Sequence, residues 1–249
     1  MPAWQLALLA AAGFAAGWIN VLAGGGSLFT VPVMVFLGLP GPVANGTNRI
    51  AIIAQNITAV TAFRRKGFAD FRLSATLALA ASIGAFAGAM VGVTLEGVWF
   101  DRTIAVIMIA VMIIMALGGK KKSPPRETGG DAKNILLGHL LFIGAGFYGG
   151  FIQIGVGFLM MPILYRVMGL DLVRVNMHKV FVALVFSCVS LAVFAWKVPI
   201  AWEAGAALAI GNAAGGWAGA HMTVAKGARL IKTVMFVMLA AMAAKLLLF

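Results

Sequence analysis

The sequence predicts an all-α polytopic membrane protein made of two inverted-topology repeats. Each repeat is one re-entrant, broken helical hairpin plus three transmembrane helices. Three observations predict it. Of 249 residues, 62% are hydrophobic and only 10% are charged, with a mean hydropathy of +1.02; a soluble domain carries about 25% charged residues and could not hide this much apolar surface. The apolar residues also come in runs near the roughly 20 residues that a membrane crossing requires. Finally, the two halves of the chain match one another at a nearly constant offset.

Composition excludes whole classes of function. So apolar a chain is neither disordered nor an ordinary soluble enzyme. The excess of 19 Lys+Arg over 7 Asp+Glu would suggest nucleic acid in a soluble protein. Here the basic residues lie between apolar runs, so they read as topology signals and contacts to lipid headgroups, with the bilayer rather than nucleic acid as the partner. The single Cys188 allows no intrachain disulfide.

The first apolar segment, 3–21, has no Lys or Arg before it. A secretory signal needs a basic leader, so the segment reads as a membrane helix that is retained. It belongs to a longer apolar region, 4–38, interrupted at Gly24-Gly25-Gly26-Ser27. The piece after the break, 28–38, would be about 16 Å of helix, roughly half a membrane. Region 135–169 repeats this pattern, with its break near Gln153-Ile154-Gly155-Val156-Gly157. Both read as re-entrant hairpins broken at mid-membrane depth, where irregular backbone survives only inside protein or against a wet cavity. Six stretches cross more simply: 45–63, 71–95, 99–118, 176–196, 204–225 and 230–249. The hydrophilic linker 119–133, GKKKSPPRETGGDAK, separates membrane repeat 1 (1–118) from membrane repeat 2 (134–249).

The matches between the halves run along the chain. Gly13, Phe14 and Gly17 pair with Gly146, Phe147 and Gly150, and Asn20 falls on Gln153. Pro32 pairs with Pro162, Asn45 with Asn176, and Phe63 and Lys66 with Phe194 and Lys197. Gly84 and Gly88 pair with Gly215 and Gly219, two small-residue motifs suited to close helix packing. Many secondary transporters are built from such repeats.

Charge sets the orientation. Arg64, Arg65, Lys66 and Arg72 mark one loop as cytoplasmic, and Lys120, Lys121 and Lys122 mark the linker two spans later. The loops near Arg174 and Lys179 and near Lys226, Arg229 and Lys232 are then cytoplasmic too. The loop at Lys197 is external. Three full spans per half is an odd number, so the halves enter the membrane in opposite senses and both termini lie outside.

Several residues are candidates for function. Glycines at the Gly24–Ser27 break permit unusual backbone angles, and a helix starting there aims N–H groups and its positive dipole end at the break, which suits an anion. A tight turn without a ligand is the other reading. Asn45-Gly46-Thr47-Asn48-Arg49 and Asn176-Met177-His178-Lys179 each open a helix directly after a hairpin and each carry one cation. A charge in the membrane interior costs at least about 2.5–3.5 kcal/mol, so Arg49 and Lys179 either snorkel to headgroups or serve a ligand. Asn45 and Asn176 are expected as helix N-caps. Asn20 and Gln153, just before the breaks, are either glue between helices or ligand contacts. His139 and His221 read as structural. None of the acidic residues falls in the middle of a span, which argues against cation transport. No P-loop, nucleotide fingerprint or His/Cys cluster is present, so no cofactor and no metal are expected.

The run GFAAGWINVLAGGGSLFTVPVMVFLGLP, followed by VANGTNRIAIIAQNITAVTAFRRKGFADFR, resembles the TauE/SafE family of sulfite and organosulfonate exporters. The resemblance extends over nearly the whole chain. It rests on the glycine-serine break, Pro32, Gly38-Leu39-Pro40 and Asn45-Gly46-Thr47-Asn48. It implies a bacterial inner-membrane transporter, not an enzyme, for sulfur oxyanions, organosulfonates or small carboxylates, with the external termini in the periplasm. The sequence departs from the family in a shorter glycine run and in Gly155-Val156-Gly157-Phe158 at the second break.

The combined expectation is a secondary exporter of a small sulfur-containing anion such as sulfite, sulfoacetate or another organosulfonate, working by alternating access. Backbone N–H groups of Gly25, Gly26, Ser27 and Leu28 would hold its oxygens. Arg49 and Lys179, with Asn20, Asn45, Thr47, Asn48, Gln153, Asn176 and His178, would supply charge and hydrogen bonds. An anion channel and a small-carboxylate transporter are the alternatives. An intramembrane protease using Ser27 and His178 lacks the G-x-S-x-G elbow of serine hydrolases.

Overall fold

The computed structural model describes residues 1–23, 25–67, 70–117 and 131–226. Gly24, most of the expected linker and the expected span 230–249 lie outside them. The regular structure among the described residues is helical: α1 (Ala3–Ala23), α2 (Ser27–Phe36), α3 (Gly41–Arg65), α4 (Phe71–Gly92), α5 (Gly97–Leu117), α6 (Ile135–Phe151), α7 (Gly157–Pro162), α8 (Leu172–Lys197) and α9 (Trp202–Lys226). Ala3–Val21, Phe71–Gly92 and Leu172–Lys197 are long and apolar enough to cross a membrane. Helix α3 is 25 residues long but turns Asn45, Thr47, Asn48, Arg49, Gln55 and Asn56 inward.

Both expected hairpins are broken helices. At the first break, Leu28 N–H donates to Gly25 O and Phe29 N–H to Gly26 O. The second break uses the same bonds, Phe158 to Gly155 and Leu159 to Val156. Gln153 at φ 57° and Gly155 at φ 68° turn the chain out of α6. A glutamine in the left-handed region is strained by about 1–2 kcal/mol and persists only when its surroundings hold it. Pro162 supplies no N–H for the helix ladder, and α7 widens there into a π-turn, Ile163–Val167.

Asn45 and Asn176 are not N-caps. Helix α3 starts earlier, after Pro40, with Pro42 in its first turn, a position where the missing proline N–H would be unpaired anyway. The cap of α8 is Asp171, whose carboxylate accepts from Val173 N–H at 3.0 Å and Arg174 N–H at 3.1 Å. Proline and Asp signals a turn upstream outrank the two asparagines, which therefore sit inside their helices, buried.

Two glycine ladders lock the halves together. A Cβ on Gly84 or Gly88 would stand 1.9 Å from the carbonyl oxygen of Ile143 or Phe147. On Gly211 or Gly215 it would stand 1.9 or 2.0 Å from that of Ala10 or Phe14. The backbones of α4 and α6, and of α9 and α1, are thus in direct contact, the arrangement small residues permit. Residue numbers rise together along each pair, so the packed helices are parallel. The packing aligns Gly84, Gly88 and Gly92 with Gly211, Gly215 and Gly219. That register is one helical turn away from the sequence match of Gly84 with Gly215. Small residues recur every four positions in both helices, so the sequence supports either register and the carbonyl contacts select one.

At one end of the bundle the N-terminal ammonium meets Glu203 at 3.0 Å, and Gly41 packs on the ring of Phe100. At the other, Arg174 pairs with Asp70 at 3.1 Å, and Lys66 Nζ donates to His221 O.

Candidate functional site

Residues from both breaks meet around one small cavity. Asn20 and Ser27 line it from the first break, and Gln153, Val156, Gly157 and Met160 from the second. Helix α3 contributes Ile52, Gln55 and Asn56, and α8 contributes Lys179, Val180 and Ala183. Its volume is about 20 Å³, room for about one water molecule. Lys179 carries the one formal charge among these lining residues, and no carboxylate is among them.

Each break leaves helix carbonyls to be satisfied deep in the protein, and each takes a cation from the opposite half. A helix ends with four carbonyls that have no intrahelical partner. For α6 all four are satisfied. Tyr148 O accepts from Ile152 N–H and Gln153 N–H. Gly149 O and Gly150 O accept from the guanidinium of Arg49. Phe151 O accepts from Asn45 Nδ2 at 2.9 Å. The same guanidinium donates to Gln153 Oε1 at 3.0 Å and lies 4.5 Å from the ring centre of Phe194. Gln153 Nε2 donates to Ser187 Oγ at 2.7 Å. Those two bonds hold Gln153 in its left-handed conformation. At the end of α1, Lys179 Nζ donates to Asn20 O at 3.1 Å and Val21 O at 2.8 Å, and its third bond goes to Asn176 Oδ1 at 2.8 Å. A cation at a helix C-terminus is also favoured by the dipole. Neither cation snorkels: Arg49 is 0% exposed and Lys179 3%.

The expected site residues therefore separate. Asn20, Ser27, Gln153 and Lys179 line the cavity. Asn48 and Asn176 stand one bond behind it, Asn48 Nδ2 donating to Ser27 Oγ at 3.3 Å while Asn48 Oδ1 accepts from Thr30. Gly25 and Gly26 form the turn, and Leu28 spends its N–H on that turn and buries its side chain in an apolar core. Arg49 and Asn45 cap α6. Thr47 accepts from Ala201 N–H at 3.1 Å, and His178 Nδ1 pairs with Ser74 Oγ at 2.8 Å, its Nε2 3.9 Å from Asp70. The reason is helical geometry. Five consecutive residues wrap more than a full turn, so 45–49 cannot face one way. The face toward the cavity is Asn48, Ile52, Gln55 and Asn56, at the stride of one helix side. Gln55 and Asn56 lie outside the Asn45–Arg49 motif and were not among the expected site residues, although that stride, continued from Asn48, reaches them.

Long apolar helices around a buried, polar-lined cavity define a helical membrane protein. The family model described as "Sulfite exporter TauE/SafE" matches residues 9–246, and the chain belongs to that family of membrane transporters. It is similar to a "Probable membrane transporter protein" of Haemophilus influenzae, 27% identical over 97% of this chain and 94% of that one. A Sinorhizobium "Probable membrane transporter protein ORF9" is 26% identical over 97% and 92%, and the Escherichia coli "Probable membrane transporter protein YfcA" is 24% identical over 93% and 86%. No solved structure matches the chain.

Proposed function

We propose that this protein is a secondary transporter that carries a small sulfur-containing oxyanion, such as sulfite or sulfoacetate, through the cavity between the two breaks by alternating access. The observation that carries the reading is the cavity's charge: one buried lysine, amides and a hydroxyl, with no carboxylate among the lining residues. An anion gains there, whereas a cation would be repelled and left without a counter-charge.

Three further features support the mechanism. Helix α1 packs parallel to α9 and α6 parallel to α4, while α3 and α8 run antiparallel, with Gly46 against Phe194 and Phe63 in one cluster with Met177. The start of α3 contacts the segment that opens α9, and the start of α8 meets the start of α4. Together these favour two halves of opposite sense, the construction of rocking carriers. The cavity is too small for a sulfur oxyanion, so the two halves must separate before a ligand fits, which favours a carrier over an open channel. Lys179 supplies the coupling. All three of its donors are taken, two by the last turn of α1, so an arriving anion must draw the ammonium off those carbonyls and loosen the break. The membrane potential, about 2.3 kcal/mol per charge per 100 mV, drives an anion out of a negative cell without a coupling ion.

The test is counterflow of labelled sulfite and sulfoacetate in proteoliposomes. Exchange in the wild type that is lost in Lys179→Met supports the reading. Steady single-channel current without exchange would replace it by a channel.

A further inference from the structure

A line of three amides crosses the wall of the cavity. Asn20 Nδ2 donates to Gln55 Oε1 at 2.9 Å, and Gln55 Nε2 donates to Asn56 Oδ1 at 3.2 Å. Each bond consumes an oxygen and passes a donor onward. The line ends at Asn56 Nδ2, a buried nitrogen with no hydrogen-bond partner, on a residue that is 1% exposed and lines the cavity. Buried donors are nearly always paired, and leaving one unpaired is unfavourable. The side chain's own Oδ1 is engaged by Gln55, and no acceptor lies within hydrogen-bond distance of its Nδ2. What satisfies it must accept a hydrogen bond and reach the cavity.

We infer that Asn56 is the specificity-determining donor of this site, giving its Nδ2–H to an oxygen of the transported anion. The inference rests on the anion reading and adds to it a residue and a ligand class. Lys179 supplies charge and is indifferent to shape. Asn56 supplies one directed N–H, so the site selects small oxyanions that present bare acceptor oxygens over spherical halides. A site built around a hydrogen bond strongly rejects ligands that cannot make it, because its own polar group is then left bare.

The experiment is the thermal shift of the purified full-length protein in detergent against sulfite, sulfoacetate and chloride, for wild type, Asn56→Leu, Asn56→Asp and Lys179→Met. Leucine keeps the branching and heavy-atom count of asparagine and removes the donor; aspartate keeps the shape and presents acceptors only. The expected result is a wild-type shift with sulfite or sulfoacetate that exceeds any with chloride. Affinity should fall at least tenfold in Asn56→Leu, and Asn56→Asp should show no shift. If Asn56→Leu does not yield folded protein, Asn56→Asp alone decides. Unchanged oxyanion affinity in the Asn56 variants, with loss in Lys179→Met, would overturn the role of Asn56 and leave the anion reading standing. No shift with any of the three anions in the wild type would overturn both.

Discussion

The ammonium of Lys179, in the second half of the chain, lies 2.8 Å from the carbonyl oxygen of Val21 in the first. Arg49 makes the reciprocal contact from the first half to Gly149 and Gly150 in the second. The two cations look equivalent in sequence but differ in surroundings, since Lys179 lines the cavity and Arg49 does not. Conservative exchange should therefore separate them. Arg49→Lys cannot span Gly149, Gly150 and Gln153 together. It should lower stability by about 1–3 kcal/mol, the loss expected for one buried group left unpaired, and leave anion affinity within a few fold. Lys179→Arg keeps the charge but overfills a water-sized cavity, so it should reduce affinity or transport tenfold or more while folding. Denaturation in detergent and counterflow measure the two effects. Equal loss of transport in both variants would remove the distinction.

The glycine ladders make a second prediction. Gly88 and Gly215 each face a carbonyl oxygen where a Cβ would come within 1.9 or 2.0 Å, so the helices must separate to admit any side chain. Gly88→Val and Gly215→Val should each destabilise by at least the 1–3 kcal/mol typical of overpacking and collapse the yield of monodisperse protein. Gly144, in α6, has nothing within 4 Å of its added Cβ. Gly144→Ala should be neutral or gain up to about 1 kcal/mol from helix propensity. Size-exclusion profiles and melting midpoints decide it.

Much of this was legible in the sequence, and what was not has identifiable causes. The broken helices were readable because glycine runs and Pro32 and Pro162 interrupt helices locally. Asn20, Ser27, Gln153 and Lys179 could be nominated because they flank those interruptions. Orientation around a helix was harder, because α3 is polar on more than one side: Asn45 and Arg49 serve the end of α6, Thr47 the start of α9, and Asn48, Gln55 and Asn56 the cavity side. A cluster that is contiguous in sequence is dispersed in space, and only the contacts of each side reveal which members share a site. The swap of cations between halves had no local signal, since Arg49 and Gly150 are 101 positions apart.

Orientation in the membrane gives a third prediction. Trp4, Trp99, Trp196 and Trp202 are 61–72% exposed. They sit at the helix ends near Met1 and Glu203, as an interfacial belt would, while Arg64, Arg65, Arg72 and Arg174 gather at the opposite end. Cys188 is exposed in the interior of α8. It should face lipid and stay silent to a water-soluble maleimide, which makes the wild type a clean background. Glu203→Cys should then label in intact cells, and Arg72→Cys only after permeabilisation. The reverse pattern would invert the assigned orientation.

The cavity's charge also predicts which sulfonates the protein refuses. Sulfoacetate and taurine both carry a sulfonate. Taurine adds an ammonium, which in this cavity meets Lys179 and finds no carboxylate among the lining residues. Burying an unpaired cation beside another is unfavourable on both counts, desolvation and repulsion. Sulfoacetate adds a carboxylate instead, which accepts hydrogen bonds and needs no acidic partner. Taurine should therefore compete with labelled sulfite at least a hundredfold more weakly than sulfoacetate does, in proteoliposomes at neutral pH. Placing an acid in the wall should narrow that gap. Val180→Asp neutralises Lys179 locally, so it should weaken sulfoacetate and spare taurine. Equal competition by the two sulfonates in the wild type would mean that the bound anion does not lie against Lys179, and the site would then have to be sought elsewhere along the interface of the two halves.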